Sequence, residues 1–564
     1  MADLDSEDDS QDEEITEVAA IVSQLNEISK NHLQSNKSRG STAATRRSQW
    51  LPSETEDASF TLNYMEPETV DEFGLQDPVD YVKRFLSDDF LELFVDQCNL
   101  YAVQKNPNKP LGVNKEEFQQ WIGLVYYFSI SRLPNVRMHW SRQLPTLRET
   151  AARIMSRNRW QDIKSNLHLA DNANLDTNND KLFKVRPMID HLRSKFKEIP
   201  KIQNLSIGEQ IVPFKGASSL KQYVGNKPKK SGYKLFVLVD EEGMTYDFIP
   251  FTGKIEPVAD PNVPGFKPSA QAVLHLAQSI PDHRNHHLCF SAWFTSVPLM
   301  QHLAGRGIWC CGTVRQARLS GIKTSEEEDD KLMSRGRGSY EARKLPGDSC
   351  ELTYVRWHDN KIVNMLSSFA NSNPVSTISR FDHKQRKIIE VDCPDIVRRY
   401  NESMRGVDLA DSLISLYRIQ VRSKQYYLKL IFHMLDMSMV NSWLLYKRCA
   451  RNLHQPNSEI LSLATFKLRT SFALMEAGKP CIAKRGQSLS EQIPSSKRKC
   501  FVSGIPEEAT RYDGVGHWPS VIQVRRICRF TGCKGRTNVT CLKCNVHLCL
   551  NGHCNHFYDY HRRL

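Results

Sequence analysis

Cysteine and histidine residues are paired along the last part of the chain, at spacings that let a short turn direct two side chains at one metal ion. Thiolate and imidazole are the ligands that zinc prefers, and a structural zinc site takes four of them. Eight such ligands predict two structural zinc ions. The predicted ligands are Cys528, Cys533, Cys541, Cys544, Cys549, Cys554, His556 and His561. His547 and His553 compete with His556, so the histidine that completes the second site stays open at this point.

The same segment has few apolar residues for a core, so we expect it to be unfolded without its metal. Free cysteines and secreted disulfides are the alternative interpretations. Of the 15 cysteines in the chain, six lie between Cys528 and Cys554, and most of the others are scattered singly. The acidic amino-terminal stretch lacks an apolar signal segment. Together these observations favour a reduced compartment with one metal-binding module.

Basic side chains surround the predicted zinc ligands, and the chain as a whole has a net charge of +12 despite its acidic start. Double-stranded DNA is therefore the first partner to expect, through contacts with its phosphates. The predicted DNA-binding residues are Arg525, Arg526, Arg529, Lys534, Arg536 and Lys543. The alternatives are a solvated basic face on the module and a merely soluble basic protein.

Two short basic clusters precede the module. Lys484 and Arg485 form the first, and Lys497, Arg498 and Lys499 form the second, with a polar spacer between them. This is the pattern of a bipartite import signal, so we expect a nuclear location. Short basic clusters also arise by chance in linkers, which is the alternative.

The elements that must position these residues follow from apolar periodicity. Residues 79–103, 116–127 and 147–169 show apolar spacings of three and four, which predict helices. Residues 233–240, 246–250 and 287–290 are short apolar, β-branched and aromatic runs that predict strands, with helices at 270–279 and 298–305. Such alternation indicates an α/β core.

Residues 317–350 are polar and rich in Gly and Ser, which predicts an inserted loop region. Strands are predicted again at residues 353–357 and 362–366, one long helical stretch at 407–449 and another helix at 461–475. The most apolar long stretch contains His433, Asp436 and Asn441, so a membrane span is not expected.

Several motifs together resemble those of the piggyBac transposase family. They are LHLADNANLD at residues 167–176, FKVRP at 183–187, LSIGEQIVPFKG at 205–216, KQYVGNKP at 221–228, FSAWFTS at 290–296, GTVR at 312–315, MRGVDLAD at 404–411 and RYDGVGHW at 511–518. The resemblance extends from about residue 77 to the carboxyl terminus. The motifs are specific as a set, although each is weak alone.

The resemblance implies an α/β ribonuclease-H-like core with an inserted subdomain and a flanking all-helical domain for DNA binding and dimerisation. The cysteine and histidine spacing adds a C-terminal cross-brace zinc module. Combined with the composition, the resemblance predicts eight segments. They are an acidic disordered tail (1–75), the first helical part (76–203), the catalytic-type core (204–316), the insertion (317–387), the end of that core (388–411), the second helical part (412–476), a basic linker (477–505) and the zinc-binding domain (506–564).

The family uses three aspartates to hold two divalent metal ions, and the resemblance shows what stands at those positions here. The first aspartate falls on Gly208, and the second aspartate and the following asparagine fall on Ser291 and Ala292. Only the third remains, as Asp408, with Asp411 three residues further along the sequence. Two-metal catalysis depends on anionic ligands. The vestigial site is therefore expected to bind no Mg²⁺ and to cut no DNA.

Three hypotheses for function follow. The first is a domesticated, transposase-derived nuclear DNA-binding protein without cleavage or strand-transfer activity. The second is an active cut-and-paste transposase in which Glu209 or Asp411 substitutes as a metal ligand. The third is a chromatin-associated scaffold that binds other proteins through its acidic tail and zinc module. A homodimer is implied by the resemblance alone.

Overall fold

The computed structural model describes residues 50–52, 63–66, 74–478 with short gaps, 511–512 and 516–562. The chain forms two compact units, one within residues 1–480 and the other within residues 481–564. The first unit contains a large sheet and the long helices. The second contains short strands around the cysteine-rich segment.

The described part of the first unit contains twelve α-helices. Several of them begin after a residue whose side chain caps the helix. Ser87, Asn114 and Ser462 each accept a hydrogen bond from a backbone N–H of the first turn, which satisfies a donor that the helix itself leaves unpaired. The α-helices of this unit are α1 (Pro78–Phe85), α2 (Asp88–Lys105), α3 (Lys115–Ile130), α4 (Pro145–Ile154), α5 (Arg157–Ser165), α6 (Arg186–Lys197), α7 (Pro268–Ala277), α8 (Val297–Gly305), α9 (Glu326–Ser334), α10 (Asp395–Leu416), α11 (Tyr426–Asn452) and α12 (Leu463–Met475).

The helices that flank the sheet in sequence pack around α11, which is buried along most of its length. Helices α3 and α12 contact each other closely, and α1 contacts both α11 and α12. Segments from before and after the sheet therefore share one core. Within the described ranges, every helix is too short or too polar to span a bilayer.

Ten strands of the first unit form one sheet, with the order β1–β8–β9–β10–β7–β6–β2–β4–β3 and β5 paired to β4. The strands are β1 (Leu51–Pro52), β2 (Asn204–Pro213), β3 (Lys221–Tyr223), β4 (Ser231–Asp240), β5 (Thr245–Pro250), β6 (His286–Phe290), β7 (Ile308–Thr313), β8 (Tyr340–Leu345), β9 (Leu352–His358) and β10 (Ile362–Ser367). A separate hairpin consists of β11 (Ser376–Asp382) and β12 (Lys387–Cys393).

The centre of the sheet is the part that matters for the candidate catalytic site. Strand β2 pairs with β6 in parallel and with β4 in antiparallel orientation, and β6 pairs with β7 in parallel. The five strands predicted from apolar runs are confirmed as β4, β5, β6, β9 and β10, and the two helices predicted between them are confirmed as α7 and α8.

Helix α10 crosses the face of this central region, where it contacts β2, β4 and β6. Two of its residues permit a close approach. A Cβ on Gly406 would collide with the carbonyl oxygen of Asp240, and Val407 lies directly against Gly208. The Gly-Val pair of the MRGVDLAD motif therefore seats the helix on the sheet.

Residues 317–350 differ from the predicted loop region, because they contain α9 and β8, and β8 pairs with β9 in the main sheet. Their polarity has a structural cause. Arg356 on β9 is buried and forms ion pairs with Glu328 and Asp329 of α9 and with Glu341 of β8. Charged side chains thus replace the apolar pattern by which a strand or helix is recognised.

The helical stretch predicted for residues 407–449 is two helices, since α10 ends at Leu416 and α11 begins at Tyr426. Apolar spacing continues through the break because Ile419 and Val421 are also buried. The Asp436 carboxylate accepts a hydrogen bond from the backbone N–H of Ile419 at 2.9 Å. A side chain from the next helix therefore holds the break, which periodicity does not reveal.

Candidate metal centres and candidate catalytic site

Between residues 516 and 562, the second unit consists of two short hairpins and one helical turn around two groups of cysteine and histidine side chains. The hairpins are β13 (Pro519–Ile527) with β14 (Arg536–Cys541), and β15 (Leu550–Asn551) with β16 (Cys554–Asn555), and the helix is α13 (His556–Tyr560). Its small apolar cluster includes several of the cysteines themselves. Such a core leaves a large role for metal ions in folding.

The first group consists of Cys528, Cys533, Cys549 and His556, with one potential ligand atom from each residue and all of these atoms within 4.8 Å of one another. The Cys533 and Cys549 sulfurs are 3.9 Å apart, and the Cys528 sulfur is 3.7 Å from His556 Nδ1. All four residues were predicted ligands, and His556 is the histidine that joins this group.

The second group consists of His517, Cys541, Cys544 and His561, again within 4.8 Å of one another. His517 Nδ1 lies 3.5 Å from the Cys541 sulfur and 3.4 Å from the Cys544 sulfur. The two groups alternate along the sequence, because residues of the second group stand before, between and after those of the first. This interleaving is the arrangement expected of a cross-brace.

Both groups have the dimensions of a tetrahedral zinc site. With Zn–S bonds of about 2.3 Å and Zn–N bonds of about 2.0–2.1 Å, tetrahedral geometry separates two ligand atoms by about 3.5–3.8 Å. The four sulfur–sulfur and sulfur–nitrogen distances given for the two groups are 3.4–3.9 Å, within about 0.1 Å of this range. The groups therefore have the size that a tetrahedral metal ion requires.

Neighbouring groups orient the ligands as metal sites require. His561 Nδ1 lies 2.7 Å from the Phe557 carbonyl oxygen, to which it can donate, while its buried Nε2 has no hydrogen-bond partner in the described part of the chain. That leaves Nε2 with a lone pair available to a metal. Backbone N–H groups of Gly535 and Cys544 donate to the sulfurs of Cys533 and Cys541, and the hydrogen bond from Gly535 lowers the pKa of the Cys533 thiol.

One predicted ligand differs from the observed groups. Cys554 belongs to neither of them, and its thiol faces Asn551 Oδ1 at 3.5 Å in the β15–β16 turn. His517 takes the fourth place instead. Short-turn spacing predicts ligands that are close in sequence, whereas His517 stands 24 residues before Cys541 and meets it through the β13–β14 pairing. The only sequence signal was the RYDGVGHW motif that ends one residue after it.

The six predicted DNA-binding cations are all exposed on this unit. They are Arg525, Arg526, Arg529, Lys534, Arg536 and Lys543. The first two belong to β13, and Arg536 begins β14. The metal groups and the hairpin therefore fix several positive charges in one small unit. The predicted import residues Lys484, Arg485, Lys497, Arg498 and Lys499 lie outside the described residues.

The three positions of the candidate catalytic site come together at the centre of the large sheet. Ile207 pairs with Phe290 in the parallel β2–β6 ladder, so Gly208 and Ser291 stand next to each other one residue further along. A Cβ on Gly208 would lie 2.8 Å from Val407 Cγ2, and Asp408 is the next residue of α10. The strands and helix thus gather these positions although only one holds a carboxylate.

The nearby acidic residues are poorly placed to replace the missing carboxylates. Glu209 is on the opposite face of β2 from Gly208, and its carboxylate pairs with Lys234 Nζ at 2.6 Å. Asp408 is exposed, and its backbone carbonyl accepts a hydrogen bond from Ser412 Oγ. Asp411 is half-buried and interacts electrostatically with Arg418.

Comparison with known proteins agrees with this architecture. The family model described as Transposase IS4 matches residues 77–443. Human PiggyBac transposable element-derived protein 3 is 29% identical over 481 residues, which cover 84% of this chain and 75% of that protein. Human PiggyBac transposable element-derived protein 2 is 27% identical over 444 residues, which cover 78% of this chain and 70% of that protein.

A solved piggyBac transposase structure has a similar fold. The cryo-EM structure of the piggyBac transposase synaptic complex with hairpin DNA aligns with a TM-score of 0.57 and 19% identity, covering 84% of this chain and 95% of that one. The family match spans the central sheet and most of the helices around it. The chain therefore belongs to the Transposase IS4 family, as a protein of the piggyBac type.

Proposed function

We propose that this protein is a domesticated, piggyBac transposase-derived DNA-binding protein of the nucleus that neither cleaves DNA nor transfers strands. One observation carries the proposal. The positions that correspond by resemblance to the first two catalytic aspartates are Gly208, packed against Val407, and Ser291. The scaffold of a catalytic site is present, but its metal-binding charge is not.

The layout of the sheet supports a ribonuclease-H-like core. Its order β5–β4–β2–β6–β7 places three antiparallel strands beside two further strands that continue in parallel. Gly208 is on the central strand of this set, Ser291 follows its parallel neighbour, and Asp408 is on the helix that crosses both. These are the positions from which such a core would present its metal ligands.

The residues present do not fit a pair of magnesium ions. Magnesium prefers charged oxygen ligands, and two divalent ions close together need several carboxylates to offset their repulsion. Gly208 offers no side-chain atom, Ser291 offers a neutral hydroxyl, and Glu209 is engaged by Lys234. Asp408 and Asp411 alone would leave most of the metal charge uncompensated.

DNA binding is supported by the small unit. Two zinc ions would fix its hairpins, and the exposed arginine and lysine residues on them would contact phosphates without reading the sequence of bases. The structural neighbour is a synaptic complex with hairpin DNA. By analogy, we propose double-stranded DNA as the ligand and a homodimer as the form that binds it.

A protein-binding role is a second candidate, because the same unit exposes apolar side chains. Trp518, Val521 and Val524 are 69%, 73% and 64% exposed, respectively. Exposed apolar patches mark surfaces that bind other molecules, and phosphate contacts do not require them. A chromatin-associated scaffold that holds DNA and a protein partner together would use both features.

The decisive experiment combines binding and cleavage in the full-length protein. We expect the affinity for duplex DNA to fall steeply with salt and to be lost with a zinc chelator, while the same duplex stays intact with Mg²⁺ or Mn²⁺. Cleavage would refute the loss of catalysis and favour the hypothesis in which Asp411 or Glu209 is a ligand. A flat salt profile would favour the protein scaffold.

A nuclear location is tested in cells with the fluorescently tagged full-length chain. Replacing Lys497, Arg498 and Lys499 with glutamine should move the protein to the cytoplasm, since a bipartite signal needs both clusters. Replacing Lys484 and Arg485 should have the same effect. Unchanged nuclear accumulation in both variants would refute the import signal.

A further inference from the structure

A second concentration of positive charge lies in the large unit. Residues around the start of α11, the end of α3 and the end of β2 enclose a cavity of about 860 Å³. This volume falls within the usual range of small-molecule sites, about 300–1,000 Å³. We name it the basic cavity, because six of its lining residues are cationic: Arg132, Arg137, Lys164, Lys215, Arg418 and Lys429.

The cations form an inner and an outer set. Lys164, Arg418 and Lys429 are half-buried, whereas the other three are exposed. Among the described residues, none of the six forms an ion pair with a carboxylate. The one carboxylate that lines the basic cavity, Asp436, is paired with the buried Lys467 at 3.2 Å.

The inner cations are close enough to affect one another. Burial, together with the charges of Arg418 and Lys164, lowers the pKa of Lys429. Burial and the charge of Arg137 lower the pKa of Lys164. Burial also lowers the pKa of Arg418, against the opposing influence of nearby carboxylates. Half-buried like charges in contact with one cavity are unfavourable unless an anion offsets them.

Hydrogen-bond donors that line the basic cavity also favour a bound anion. Arg418 Nε and Trp160 Nε1 are buried and have no hydrogen-bond partner within the described part of the chain. Buried donors are normally paired, and each unpaired one costs about 1–3 kcal/mol. Both residues line the basic cavity. An acceptor that entered it could therefore satisfy donors that the protein leaves unpaired.

We propose that the basic cavity binds a compact molecule with two or more phosphate groups, held by Lys164, Arg418 and Lys429. A polyphosphate provides several negative charges and many acceptor oxygens in a small volume, which matches three inner cations and unpaired donors. A phosphate on the outside of a DNA duplex would first meet the exposed Arg132, Arg137 and Lys215. Binding in the basic cavity requires neither the Cys/His groups of the small unit nor the missing catalytic carboxylates.

The test is calorimetric titration of the full-length, zinc-loaded protein with inorganic tripolyphosphate at an ionic strength of about 0.15 M. We expect one site per chain and much weaker binding of orthophosphate. Arg418→Gln and Lys429→Gln should each weaken tripolyphosphate binding by about tenfold or more. The matched control is Lys254→Gln, which removes an exposed charge that does not line the basic cavity.

Thermal unfolding without ligand distinguishes a binding role from a structural one. Removal of one mutually repelling cation should leave the melting temperature of each variant unchanged or higher, and Lys164→Gln repeats the test from a different helix. Equal tripolyphosphate affinities in these variants and in the control would overturn the proposal. It would also be overturned if tripolyphosphate failed to bind and only duplex DNA responded to the substitutions.

Discussion

A β-carbon on Gly208 would lie 2.8 Å from Cγ2 of Val407, a separation that real side chains do not tolerate. The glycine therefore lets α10 rest directly on β2. By resemblance, a catalytic aspartate belongs at this position. In this chain the position is instead a packing contact between the strand and the helix.

The contact between Gly208 and Val407 predicts that even a methyl group at position 208 destabilises the protein. Gly208→Ala should lower the free energy of unfolding of the full chain by about 1–3 kcal/mol, because overpacking a buried contact forces its neighbours to move. The penalty should be smaller when Val407 is also replaced by alanine. Chemical denaturation of the four proteins in a double-mutant cycle measures this coupling. Strictly additive effects would contradict a direct contact between the two positions.

The two Cys/His groups predict how many metal ions each variant binds, and this number distinguishes His517 from Cys554 as a ligand. We expect two zinc ions per chain in the unmodified protein and in Cys554→Ser, but only one in His517→Ala, because His517 lies in a complete group and Cys554 in neither. Metal analysis of the purified full-length variants gives the count. Two ions in His517→Ala together with one in Cys554→Ser would show that the predicted ligand set was the better one.

Local patterns in the sequence predict the structure best. Strand β4 is predicted by its unbroken apolar run, and seven of the eight residues in the two Cys/His groups are predicted ligands. Only the pairs Cys528–Cys533 and Cys541–Cys544 stay together as predicted, because His556 and His561 belong to different groups and Cys554 belongs to neither. His517 was missed because its partners are distant in sequence and are brought to it by strand pairing. The break between α10 and α11 was missed because a buried carboxylate supports it.

The exposed cations of the small unit predict a change in the salt dependence of DNA binding. Each phosphate contact contributes about 0.9 to the slope of log K against log salt concentration. If Arg525 and Arg526 each contact a phosphate, replacing both with glutamine should reduce the slope by about two. Measurement of the full chain across a salt series determines the slope. Lys254→Gln is the control, and an unchanged slope in the double variant would exclude these two arginines from the interface.

The buried pair of Lys467 on α12 and Asp436 on α11 supports the last prediction. Burial raises the pKa of Asp436 and lowers the pKa of Lys467, since both charges have been removed from water. Lys467 Nζ also donates to the Tyr417 carbonyl at 2.8 Å, while Asp436 accepts from the Ile419 N–H. The pair therefore connects the two helices to the segment between α10 and α11.

Lys467→Met should lower the free energy of unfolding by about 3–5 kcal/mol, because it leaves the Asp436 carboxylate buried without its counter-charge. Lys467→Met combined with Asp436→Leu should lose less, because no isolated charge then remains, although the Ile419 N–H loses its acceptor. Chemical denaturation of both variants measures the difference. If the double variant were the less stable of the two, the pair would stabilise the segment mainly through its hydrogen bonds to the backbone, and the charge argument would fail.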